Sequence, residues 1–203
     1  MGEKVSLSRQ ELHSIAKTHF AFRDIPLNRM SAVLIGQLLS MEAGRLIYIE
    51  EVTQEIRALE AGGSSSHTKP EDAFSRHKHL KGFKKKHFTS ARFLSQNIGA
   101  YWGIANGRKG NQKLDELCQA FAEQMATQKD WEMLVSQISH EFTIGAYEKR
   151  FNSKNMTGEW IVFDDRSGER LYLTLASHSE NDDAIWERVM FAIKFDFPQL
   201  MES

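Results

Sequence analysis

The sequence predicts an α+β protein, mainly helical, with a small C-terminal antiparallel β-meander and a closing helix. Three observations predict it. Apolar residues recur at helical intervals as far as His140; short β-branched and aromatic runs separated by turn formers follow; and the helical interval returns after Asn181.

Ser8 and Glu11 have capping-box spacing ahead of Leu12, Ile15, Ala16 and His19, which predicts a first helix over about 9–22. Asp24 and Pro26 open a second helix that runs to about Ala43, because proline suits a first helical turn. A third covers Leu46 to Glu60 and stops at Gly62 and Gly63. The segment "GGSSSHTKP" is a loop or hinge, and Thr68 with Glu71 again has capping-box spacing that restarts helix. Long helices are expected over Phe83–Tyr101, Gln112–Thr127 and from Asp130. "EFTIGAYEKRF", "GEWIVFDD" and "ERLYLTLASH" read as three meander strands, with extension of the preceding helix as the alternative for the first. "NDDAIWERVMFAIKFDF" closes the chain as a helix capped by Ser179 or Asn181.

A chain of 203 residues is long enough for one substantial core, so a single domain over 1–203 is expected. Within it, 1–61 form an N-terminal helical part, 62–70 a flexible loop, and 71–203 a basic helix with the β-meander. The lone Cys118 has no internal disulfide partner, and the start lacks an apolar run of signal-peptide length. The longest apolar stretch, 30–49, is interrupted by Gln37, Glu42 and Arg45. These features predict a cytoplasmic protein with no membrane partner.

Charge is distributed unevenly. From Ala73 to Leu114 there are ten Lys and Arg and no acid, so this window carries +10 and the remainder −11, for a net −1. Its densest part, "RHKHLKGFKKKHFTSARF" at 76–93, predicts a surface that attracts a polyanion, with RNA the expected one. The residues expected to bind it are Arg76, Lys78, Lys81, Lys84, Lys85, Lys86, Arg92, Arg108 and Lys109. On a helical wheel at about 100° per residue, Phe83, His87, Ala91, Leu94, Ile98, Tyr101 and Trp102 share one arc, which reads as a core face. A solubility role or an acidic protein partner accounts for the basic run as well.

The histidines "HKH" at 77–79 lack the spacing of a metal site, and none is expected. Acid–base work is the other use of imidazole. His87 in the basic segment and His178 at the end of the last strand, with Tyr147 and Arg150 from the neighbouring strand, are the candidate catalytic residues. A His- and Lys-bearing helix on such a sheet resembles, in architecture and residue type alone, small toxin-like metal-independent ribonucleases of the barnase and RelE kind. The resemblance implies cleavage of a phosphodiester without a cofactor. The rival reading is a non-catalytic interaction or regulatory protein that docks an acidic partner through its basic face. No glycine-rich phosphate loop or nucleophilic serine elbow is present.

Overall fold

A computed structural model describes residues 7–62, 68–75, 79–104, 112–126, 130–156 and 158–201. The class is α+β, as the sequence predicts. Helices α1 (Arg9–Thr18), α2 (Ala32–Ala43) and α3 (Ile49–Glu60) precede strands β1 (Asp72–Ala73) and β2 (Lys84–His87). Then come α4 (Leu94–Tyr101), α5 (Gln112–Met125), α6 (Trp131–His140) and α7 (Ala146–Asn152), before β3 (Trp160–Asp164), β4 (Leu171–Ala176) and α8 (Asp182–Asp196).

The sheet is antiparallel throughout, in the order β1-β2-β3-β4. Both its faces are covered. Ile161, Phe163, Tyr172 and Leu175 pack beneath α1, α2 and α3, whereas Trp160, Val162, Leu171, Leu173 and Ala176 face α8 through Ile185, Val189, Ala192 and Ile193. Double coverage explains why "WIVF" and "LYLTLA" are almost continuously apolar where a one-sided sheet would alternate. A register shift between Val162 and Phe163 is accommodated within the β3–β4 pair. The outer edge of β4 is not left bare: Ser31 N–H donates to the Tyr172 carbonyl at 2.9 Å, and the Gln37 amide oxygen accepts from Leu175 N–H at 2.9 Å.

Helix starts follow their caps. Ser8 and Glu11 form the reciprocal capping box, Ser31 Oγ accepts from Leu34 N–H, and Asn181 accepts from Asp183 N–H. The second helix therefore starts at Ala32, capped by Ser31 and six residues later than Pro26 suggests, after a 3₁₀ turn over Leu27–Arg29.

Three expectations need correction. The segment after Thr68 does not restart a helix: Thr68 bridges to Met156 and the chain enters β1. The long helix over Phe83–Tyr101 is instead β2, a 3₁₀ turn and α4, so the wheel that placed His87 on a helical core face does not apply. The first expected meander strand is helical, α6 passing through a π turn at Glu141–Gly145 into α7, which is the alternative reading of that segment. On α6 the buried residue is Leu134, while Trp131 and Val135 are exposed. Among the described residues no helix is long and apolar enough to cross a membrane.

Candidate functional site

Strand alternation sorts the basic run. Lys86 stands opposite Ile161 and points under α3, whereas Lys85 and His87 stand opposite Val162 and Trp160 and point to the other face. Lys86 is fully buried; its Nζ donates to Thr68 Oγ1 at 2.8 Å and to the Lys69 carbonyl, and lies 3.5 Å from the Glu55 carboxylate. Lys84 is paired with Glu71 at 3.2 Å and Asp165 at 2.6 Å, and Arg92 with Glu159 at 3.5 Å. The unopposed cationic face expected from the sequence is thus narrower: three of its members are held by carboxylates from elsewhere in the fold. Arg76, Lys78, Arg108 and Lys109 lie outside the described residues.

What remains gathers at one end of the sheet. Register places His87, Trp160 and Ala176 in one row across β2, β3 and β4, and His178 follows two residues after Ala176. The rings of His87 and His178 stack with centroids 5.2 Å apart, and the His178 ring lies 4.1 Å from that of Trp160. Lys85 Nζ sits over the Trp160 and Phe74 rings at 4.6 and 4.9 Å, with no carboxylate within ion-pair distance among the described residues. Lys69, exposed at the start of the β1 segment, adds its field to both imidazoles.

The two imidazoles differ in setting. His87 is buried, its Nδ1 lies 3.2 Å from the Gly158 carbonyl, and its Nε2 accepts from Trp160 Nε1–H at 3.4 Å. The carbonyl fixes the proton on Nδ1 and leaves Nε2 as acceptor. Burial pushes the His87 imidazole down to about 4, aided by His178, Lys69 and Lys85 and opposed by the Gly158 carbonyl. His178 is exposed on a turn; partial burial lowers it too, while the Glu159 carboxylate raises it. Glu159 accepts from His178 N–H and Ser177 Oγ–H, both at 3.0 Å, and so fixes the turn that carries the ring.

Gly158 is where the sheet end closes on β2. A Cβ there would lie 1.9 Å from the Phe88 carbonyl oxygen, so only glycine permits the approach that presents its own carbonyl to His87.

Of the four candidate catalytic residues, His87 and His178 come together. Tyr147 and Arg150 are on α7, where Tyr147 stacks on Phe151 and Arg150 donates to Asn97 Oδ1 and to the Asn155 carbonyl. No described contact links them to the histidine pair. His79 rests near Trp186 of α8, and His77 lies outside the described residues. Among the described residues no group of three or more His, Cys, Asp or Glu is arranged to hold a metal. Sequence reasoning missed Trp160, Gly158 and Glu159, whose common signal is the β2–β3 register and not any spacing along the chain, and Lys69, which precedes β1. No family model, curated protein or solved structure matches this chain.

Proposed function

We propose that the protein is a cytoplasmic RNA-binding protein and a toxin-like ribonuclease that acts without a metal, its reactive group being His178. The observation that carries the reading is the meeting of two imidazoles from β2 and from beyond β4 beside Lys85, a cation that no described carboxylate neutralises. Stacked rings 5.2 Å apart leave no room for a phosphate between them, so they do not flank the phosphorus as an acid–base couple. The division of labour is therefore vertical. His87, neutral and bonded on both ring nitrogens, is a positioning residue beneath the exposed His178. Neutral His178 takes the proton of a ribose 2′-hydroxyl; the 2′-oxygen bonds to phosphorus, the bond from phosphorus to the 5′-oxygen breaks, and the leaving oxygen takes a proton from water. Lys85 and Lys69 offset the charge that develops on the phosphorus oxygens.

Incubation of a generic single-stranded RNA with the full chain in excess EDTA tests this. The wild type should leave 2′,3′-cyclic ends, and His178→Ala should lower the rate by about 10²-fold or more. Cleavage should rise with pH to a plateau, with its midpoint below the ordinary imidazole value, since partial burial lowers the His178 imidazole. An unchanged rate in His178→Ala overturns the assignment.

A second reading is a non-catalytic protein docking an acidic partner, which the two engaged nitrogens of His87 favour over catalysis. Its mark is a stoichiometric complex with an acidic protein and an absorbance ratio at 260 and 280 nm that a high-salt wash does not alter.

A further inference from the structure

Away from the histidine pair, α5 and α6 leave an apolar surface that no other described element covers. α5 buries none of its described residues, and α6 buries Leu134 alone. Leu117, Ala120 and Phe121 of α5 and Ile138 of α6 line a groove of about 500 Å³. Exposed methionines continue it: Met125 follows Phe121 by four residues, and Met133 precedes Gln137, which also lines the groove, by four.

The rim of this groove is acidic. Glu116 and Glu123 stand four residues before and three after Ala120, and Glu132 stands four before Ser136 on the other wall, so each neighbours the groove along its helix. None of the three has a cation at ion-pair distance among the described residues, and no lysine or arginine lines the groove. Glu116 and Glu123 are bonded to neutral amides instead, from Gln112 at 2.9 Å and Gln119 at 3.2 Å. Glu141, at the end of the groove, is the exception and pairs with Lys149 at 2.9 Å. The whole stretch 115–148 holds seven acids, one lysine and no arginine, directly after the +10 window.

We propose that this groove binds a basic amphipathic helix of a partner protein, with the apolar side of that helix against Leu117, Phe121 and Ile138 and its cations over Glu116, Glu123 and Glu132. Charge complementarity selects the occupant. A second copy docking through the same two helices would bring these carboxylates toward their own equivalents, and RNA or an anionic lipid surface would be repelled by them. The walls select a helix over an extended segment. Their backbone N–H and C=O groups are spent within α5 and α6, so no strand edge is offered, whereas a helix satisfies its own backbone and packs through side chains. α5 has 14 residues and spans about 21 Å, which matches a partner helix of about four turns. Unbranched methionine side chains such as those of Met125 and Met133 adapt to an opposing surface. The proposal shares no residue with the histidine pair and stands independently of the ribonuclease reading.

Fluorescence anisotropy of a labelled model peptide titrated with the full chain is the test. The peptide has about fourteen residues, leucines at helical spacing and lysines elsewhere. One control carries glutamate in place of lysine, and another has the same composition in an order that breaks the apolar stripe. The expected result is saturable binding of the amphipathic lysine peptide alone. Glu116→Gln with Glu123→Gln should weaken it by about tenfold, and Ala120→Arg, which puts a bulky cation into the groove, should reduce it to the level of the reordered peptide. Glu169→Gln with Glu187→Gln removes the same charge from exposed positions outside the groove and should bind as the wild type does. Absence of saturable binding overturns the proposal, as do equal binding of the reordered peptide, wild-type affinity in the Glu116 and Glu123 variant, or the same loss in the Glu169 and Glu187 control. Sedimentation of the chain alone as a dimer that Ala120→Arg dissociates would also overturn it and give the groove to a second copy. If Ala120→Arg loses helical circular dichroism, the Glu116 and Glu123 variant decides alone, because glutamine keeps the acceptor oxygen that Gln112 and Gln119 use.

Discussion

His87 is the residue whose neighbours most constrain its chemistry. Its imidazole is held near 4 in the folded chain against an ordinary 6.5, so between these values the unfolded chain binds a proton that the folded chain does not. Stability must therefore fall as pH drops from about 6.5 to about 4, by up to about 3 kcal/mol, and level off below. Urea unfolding across that range should show this slope, and His87→Gln should flatten it; an equal slope in the variant would place the titrating group elsewhere. Lys86 gives a second prediction. Removing it strands the Glu55 carboxylate, with side-chain exposure of 8%, so Lys86→Ala should cost about 3–5 kcal/mol. The double change Lys86→Met with Glu55→Leu should recover most of that, because buried ion pairs are replaceable by apolar residues of similar size. Gly158→Ala, which drives a methyl group into the Phe88 carbonyl, should lower the melting temperature and shift the His178 ring resonances together.

At the scale of elements, legibility followed the strength of the local signal. β3, β4 and α8 were plain in the sequence because β-branched and aromatic runs between "NSKNMTG" and "DRSG" have few other uses, and Asn181 marks the cap. β2 was not, since "KKKH" has poor strand propensity and its residues take their places only through pairing with β3 and through Glu55, Glu71 and Asp165, contributed from distant parts of the chain. "EFTIGAYEKRF" has strand composition yet continues α6, as the exposed side chains of Thr143 and Ile144 impose no sheet partner. Part of the site is legible for the wrong reason: residue type singles out His87 and His178, and they meet because register aligns the ends of β2, β3 and β4. Tyr147, expected on a neighbouring strand, lies on helix α7. The same view predicts where the fold opens first. α5 buries none of its described residues, while β3 and β4 are buried throughout. Hydrogen exchange should be orders of magnitude faster in α5 amides than in those strands, and equal protection would show that α5 is covered in solution.

For the whole molecule, electrostatics decides between the readings. The sequence divides into a +10 window and a −11 remainder, and folding interleaves the two by pairing Lys84, Lys86 and Arg92 with acids. Beside the histidines, Lys85 and Lys69 have no carboxylate at ion-pair distance among the described residues. On the proposed reading this surface makes few backbone contacts with RNA, and the affinity should depend on salt with a modest but definite slope. The direct measurement is filter binding of single-stranded RNA to the wild type and to Lys85→Gln over a range of salt concentrations. The expected result is measurable affinity at low salt, a linear fall on logarithmic axes, and a slope reduced by about one in Lys85→Gln. RNA affinity that is absent, indifferent to salt, or identical in the two proteins would contradict the assignment of this surface to phosphate.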